Sequence, residues 1–100
     1  MSLTLHFSPA FKRSLKLLGA EQLKILGSIL EALEAYYRSG CDLERAKSIS
    51  SGFFYKQLRK PYYEAGIESN IRVVLIREQN KCIALLAGNH NQIKTFLRNI

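Results

Sequence analysis

Long apolar runs are missing from this 100-residue chain. Nowhere do 18 uncharged apolar residues follow one another, which excludes a membrane-spanning helix. The opening stretch Met1–Arg13 has no basic cluster leading into an apolar segment, so no secretory leader is expected. Cysteine is scarce. Cys41 and Cys82 belong to no CxxC pair, and Cys82 sits in an apolar run where a reduced, buried thiol is expected. These absences together point to the cytoplasm. Internal repeats, low-complexity tracts and Pro-, Ser- or Gly-rich linkers are absent too, so one domain over residues 1–100 is expected. No GxGxxG, GxxxxGK[ST] or GxSxG occurs, which removes nucleotide-driven and serine-hydrolase chemistry. The two histidines, His6 and His90, lie far apart with no Cys/His/Asp cluster, so neither a metal nor another cofactor is expected.

Acidic side chains are also in short supply: eight Asp and Glu stand against fifteen Lys and Arg, leaving a net charge of +7. The excess is uneven, with seven basic and five acidic residues in positions 1–50 and eight and three in positions 51–100. A basic half suggests a polyanionic partner, or an acidic protein that masks the surface; solubility alone is the plainer alternative. Apolar residues at 47% and charged residues at 23% are ordinary for a folded chain and exclude a disordered one.

Hydropathy patterning lays out the elements. Leu3 to Phe7 alternates apolar with polar, a short half-buried strand. Ser8-Pro9 has the form of a helix start, with the Ser hydroxyl as cap and Pro in the first turn, and the helix runs to about Leu18 before Gly19. Leu23, Leu26, Leu30, Leu33 and Tyr37 then form one stripe of a longer helix, which Gly40 stops. The short Gly-Ala-Glu connection predicts an antiparallel helical hairpin lying on a sheet. Cys41 to Gly52 reads as a polar connector with room for another helical turn. Three strands follow, Phe53–Arg59, Asn70–Arg77 and Lys81–Gly88, the last two joined across Glu78-Gln79-Asn80. A short helix with Ile93, Phe96, Leu97 and Ile100 on one face closes the chain. The expected class is α+β: an N-terminal strand, a two-helix hairpin, a three-strand antiparallel sheet and a C-terminal helix. Residues 71–76 and 82–87 are apolar at both alternating sets of positions. Helices on one side of the sheet leave its second face needing cover from the C-terminal helix or from another chain.

Charged and aromatic residues concentrate in the second half. Lys56, Arg59 and Lys60 line the end of the first of these strands, either beside a groove or on a solvated edge where Lys discourages aggregation. Arg72, among apolar neighbours, must be paired with Glu64 or Glu68 or aimed at an anion. Arg77 closes the same strand and adds a further cation for a polyanion. His90, just past the last strand, either moves protons near neutral pH or serves the turn before the last helix; His6, in the first strand, is expected to be structural. Tyr55, Tyr62 and Tyr63 surround the basic segment, as stacking surfaces for single-stranded bases or as packing residues.

The motifs Tyr55-Lys56-Gln57-Leu58, Asn70-Ile71-Arg72-Val73-Val74 and Leu85-Leu86-Ala87-Gly88-Asn89-His90 occur in the order and spacing of one known family. Over most of its length the chain resembles the RelE/ParE superfamily of type II toxin–antitoxin toxins. RelE-like members cut mRNA in the ribosomal decoding site and are held inactive by a cognate antitoxin; ParE-like members share the fold and poison DNA gyrase. The resemblance implies that Lys56 and Arg59 match the family's basic strand residues. It implies that Arg72 matches the arginine at the scissile phosphate, and His90 the histidine of some ribonuclease members. In that chemistry a 2′-hydroxyl attacks the adjacent phosphate. The reaction needs a proton removed, a proton delivered and cations against the developing charge. Arg72, with Lys56 or Arg59, is expected to stabilise charge and His90 to transfer protons, with Glu64 a candidate base if the segment after Pro61 folds toward the groove. Many members carry a basic residue and then a tyrosine after the histidine; here Asn91 follows and the next aromatic is Phe96, which has no hydroxyl. An acidic antitoxin, mRNA and the ribosome are the implied partners. A gyrase-directed toxin or an inactive RNA-binding module of the same fold is the alternative.

Overall fold

The computed structural model describes residues 4–67 and 70–99. In chain order the elements are β1 (Thr4–Phe7), α1 (Pro9–Ser14), a 3-10 turn (Leu15–Leu17), α2 (Ala20–Arg38), α3 (Leu43–Ile49), β2 (Phe54–Gln57), β3 (Tyr62–Gly66), β4 (Arg72–Glu78), β5 (Lys81–Gly88) and α4 (His90–Arg98). The expected α+β class holds, but the sheet is larger than a three-strand antiparallel one. It has five strands in the order β1-β5-β4-β3-β2, with β1 parallel to β5 and the other pairs antiparallel. Two differences account for this. The opening strand joins the sheet edge, Thr4 opposite Lys81 and Phe7 opposite Ala84. A strand also lies at Tyr62–Gly66, beyond Pro61, where the expected first strand has already ended at Gln57.

Local signals explain the helix ends. The Ser8 hydroxyl accepts from the Phe11 amide at 3.1 Å, and Pro9 occupies the first turn of α1. Gly40, with φ of 77°, closes α2: its amide reaches the Tyr37 carbonyl and the Cys41 amide the Tyr36 carbonyl. That pair of bonds satisfies carbonyls the helix end would otherwise leave open. The connector after Gly40 holds a seven-residue helix, α3, capped by the Asp42 side chain on the Glu44 amide. The expected hairpin is correspondingly rearranged: α2 packs chiefly on α3, while α1 packs on β5.

The main core lies between α1, α2, α3 and one sheet face. Leu26, Ile29, Ala32, Leu33 and Tyr37 of α2 meet Val73 and Leu75 of β4 and Cys82, Ala84 and Ala87 of β5. Ile29 takes the central place that the stripe assigns to Leu30, and Leu23, the first stripe residue, is exposed. Cys82 is a buried free thiol, as expected. Ser14 is one of two buried polar side chains among the described residues; its hydroxyl donates to the Phe11 carbonyl and accepts from the Ala87 amide at 3.1 Å, tying α1 to β5.

The other sheet face is covered by α4, which packs on β4 and β5. Val74 and Ile93 are buried there, outside the main core. The C-terminal helix therefore supplies cover that the two-sided apolar pattern of β4 demands. Leu3, Glu68 and Ile100, each given a place above, lie outside the described residues. No described helix is long and apolar enough to cross a membrane.

Candidate functional site

Strand register assembles the site. Antiparallel pairing sets Lys56 of β2 opposite Glu64 of β3, which is opposite Val74 of β4. The adjacent row on the same face runs Phe54, Gly66, Arg72, Gly88. Alternation puts both rows on the α4 side, since Val74 shares that face while Val73 and Leu75 turn into the main core. The expected ion pair of Arg72 is made with Glu64.

Glu64 is not in a loop after Pro61; it is central in β3 and only 4% exposed. Its carboxylate stands between two cations, Oε2 at 3.5 Å from Lys56 Nζ and Oε1 at 3.7 Å from Arg72 Nε. The second distance exceeds hydrogen-bond length, so the Arg72 pair is an electrostatic contact without directional bonding. Arg72 Nε is buried and has no hydrogen-bond partner. The terminal nitrogens of Arg72 also make no hydrogen bond among the described residues, but they are not sealed off. Lys56 is the more open cation, with 60% of its side chain exposed. One anion thus holds two cations at the surface of the sheet, and the cluster keeps a net positive charge.

Phe54 joins this cluster although charge and motif give no hint of it. The Arg72 guanidinium carbon lies 4.6 Å from the Phe54 ring centroid, and Lys56 Nζ lies 5.8 Å from it. The ring fits because Gly66 has no side chain: a Cβ there would stand 2.9 Å from two ring carbons and 3.2 Å from Arg72 Cδ.

His90 begins α4, two residues past Gly88, which pairs with Arg72. Asn89 caps the helix, its Oδ1 accepting from the Gln92 amide at 2.9 Å while Gln92 Oε1 accepts from the Asn89 amide at 2.7 Å. His90 is exposed and makes no side-chain hydrogen bond or ion pair among the described residues. Beside it a shallow recess of about 490 Å³ is lined by Leu86, Asn89, Asn91, Gln92, Thr95 and Phe96. The capping role thus falls to Asn89, leaving the imidazole free.

Other sequence-derived candidates are distributed elsewhere. Arg59 donates to the Leu97 carbonyl at 3.4 Å, and the Tyr62 ring meets Phe96 edge-on at 6.1 Å. Both contacts hold the end of α4 against the turn between β2 and β3. Lys60 is exposed in that turn. Tyr55, Tyr63 and Arg77 occupy the opposite sheet face. Tyr63 stacks on Tyr55 at 5.4 Å, Tyr36 lies 4.5 Å from Tyr55, and Arg77 stands over Tyr63 at 5.9 Å. The Tyr37 hydroxyl donates to the Tyr55 hydroxyl at 2.9 Å. Burial pushes Tyr55 up to about 12, and burial beside the Cys82 thiol and the Tyr55 hydroxyl raises Tyr37 further. Burial likewise raises the Cys82 thiol. His6 is exposed on the β1 edge. Among the described residues, no three His, Cys, Asp or Glu side chains converge as a metal site.

The architecture has solved counterparts. A copper-bound mutant toxin from Helicobacter pylori matches with a TM-score of 0.61 at 21% identity, over 91% of this chain and 98% of that one. A chain of the RelB–RelE antitoxin–toxin complex from Methanococcus jannaschii matches at 0.60 and 16% identity, over 91% and 96%. A chain of the DinJ–YafQ toxin–antitoxin complex from E. coli matches at 0.60 and 14% identity, over 93% and 98%. The chain has the fold of these toxin structures. No protein-family model and no curated protein matches the sequence.

Proposed function

We propose that this chain, built on the fold of RelE-type toxins, is the toxin of a type II toxin–antitoxin pair and a ribosome-dependent endoribonuclease acting on mRNA. The observation that carries the reading is the Lys56–Glu64–Arg72 cluster. It presents an ammonium and the terminal nitrogens of a guanidinium, none of them satisfied by a hydrogen bond among the described residues, and Arg72 pairs with Gly88, two residues before the exposed His90. A phosphodiester is an anion with two oxygens for a guanidinium fork.

In the proposed reaction the 2′-oxygen forms a bond to phosphorus and the bond from phosphorus to the 5′-oxygen breaks. The products are a 2′,3′-cyclic phosphate and a 5′-hydroxyl. Arg72 and Lys56 stabilise the charge that builds on the phosphoryl oxygens. His90 transfers protons, its exposed imidazole carrying one nitrogen that can accept and one that can donate. Glu64, buried and engaged with both cations, acts by holding them in place. Arg59, Lys60 and Tyr62 contact RNA at the β2–β3 turn in this reading, while Tyr55, Tyr63 and Arg77 pack on one another on the far face. Chemistry of this kind uses no metal or other cofactor. An acidic antitoxin is the proposed protein partner, its charge opposite to that of the basic half.

The second reading is a toxin of the same fold that cuts no RNA and acts on gyrase; it needs no proton-transfer group at the cluster, and His90 makes no hydrogen bond or ion pair to Glu64. Growth under tightly controlled expression separates the two, with primer extension on a reporter mRNA. Arrest with new cleavage ends that vanish in Arg72→Ala and His90→Ala supports the nuclease. Arrest with intact message selects the gyrase-type reading, and no arrest contradicts both.

A further inference from the structure

Phe54 and Arg72 belong to strands that are not neighbours. β2 and β4 are separated by β3, so their backbones lie about 10 Å apart at ordinary strand spacing. The two side chains meet by reaching across β3 at Gly66, which pairs with both of them. Any Cβ at that point would stand 2.9 Å from the Phe54 ring and 3.2 Å from Arg72 Cδ. The contact is therefore built by three positions on three strands.

We infer that Phe54 is the positioning residue of the anion site: its ring fixes the plane of the Arg72 guanidinium so that the terminal nitrogens present a paired fork to a phosphate. This rests on the RNA-directed reading above and adds to it a residue outside its charge-based candidates. Glu64 alone does not fix that plane. Its oxygen is 3.7 Å from Nε and forms no directional bond, so it sets where the charge sits and leaves the side chain free to rotate. An aromatic face 4.6 Å from the guanidinium carbon supplies the missing restraint, since a planar cation gains most when seated on the ring. Lys56 Nζ lies 5.8 Å from the same ring, so one uncharged group touches both cations of the cluster.

Two readouts test the assignment. The first needs no RNA: the Arg72 Nε–H group, buried and without an acceptor, should give a resolved, slowly exchanging NMR signal shifted by the ring. Phe54→Leu should move that signal and speed its exchange, while Phe54→Tyr should retain it. An unchanged signal in Phe54→Leu overturns the inference. The second is binding of a single-stranded RNA made uncleavable by 2′-O-methylation. Phe54→Leu should weaken it about tenfold, the scale of one cation–π contact, and Phe54→Tyr should restore it. In an Arg72→Lys background the same change should cost distinctly less, the remainder coming from Lys56 on the same ring. A loss that is additive with Arg72→Lys, or that vanishes when the oligonucleotide has abasic sites, overturns positioning in favour of base stacking on Phe54. If the NMR signal responds as expected but the wild type binds no RNA at any salt concentration, the positioning stands and the RNA-directed reading fails.

Discussion

On the sheet face shared with α4, Glu64 Oε1 and Arg72 Nε face each other at 3.7 Å, the carboxylate side chain 5% exposed and the nitrogen sealed from solvent. Neither is at hydrogen-bond distance from the other, yet each would be costly to bury alone. Their mutual dependence makes this pair a stability determinant as well as a candidate functional one.

Glu64→Gln keeps the shape and removes the anion beneath two cations. Arg72 is a quarter exposed and Lys56 more so, and water offsets part of the loss. The expected cost is about 2 kcal/mol, below that of breaking a fully buried pair. Urea denaturation should show it as a lower midpoint at unchanged slope. Pairing the change with Arg72→Met should recover part of the loss; an unshifted midpoint in Glu64→Gln would contradict the account.

Gly66→Ala should destabilise by about 1–3 kcal/mol through overpacking against Phe54. The same substitution in a Phe54→Leu background should cost distinctly less. A double-mutant cycle by chemical denaturation measures this coupling, and strict additivity would show that the ring and the glycine do not share the space.

Patterns confined to a few adjacent residues were legible in the sequence: the Ser8-Pro9 start, the Gly40 stop and the Lys81–Gly88 strand all match the structure. β3 was not. Pro61 stands directly before it and Glu64 interrupts its apolar pattern, and its strand character comes from pairing on both sides with β2 and β4. β1 was legible as a strand from its alternation, but not its place in the sheet, because its parallel partner lies at the far end of the chain. The same divide runs through the site. Charge singles out Lys56, Glu64 and Arg72, whereas Phe54 and Gly66 matter only through the register across β3. That register also parts Tyr55, Tyr63 and Arg77 from the cluster, a separation of faces that proximity in sequence conceals.

Ser14→Ala should cost about 1–3 kcal/mol, because the Ala87 amide would be left buried without its acceptor. Hydrogen exchange localises the effect. The Ala87 amide should lose protection in the variant, well ahead of the Val73 and Leu75 amides. A uniform loss across the sheet would point to a merely weakened fold.

The tyrosine pair predicts an alkaline limit. Tyr55 is neutral in the fold up to about 12, above its ordinary value of 10.0, because burial disfavours the phenolate. A raised acid group contributes stability that is whole below pH 10 and is lost as pH rises toward 12. Tyr37 shifts in the same direction and adds to the loss. Stability from urea melts should therefore fall between pH 10 and 12 more steeply in the wild type than in a Tyr37→Phe/Tyr55→Phe double variant. Equal slopes would contradict the burial of these phenols.

The central claim is that Arg72 serves cleavage of translated RNA, and purified protein added to ribosomes carrying a defined mRNA tests it most directly. The account predicts mRNA fragments ending in a 2′,3′-cyclic phosphate, formed without added metal beyond the ribosome's own requirement and reduced at least a hundredfold by Arg72→Ala, the scale of losing one stabilising group in a transition state. Intact mRNA with the wild-type protein, or equal cleavage by the Arg72→Ala variant, would contradict it.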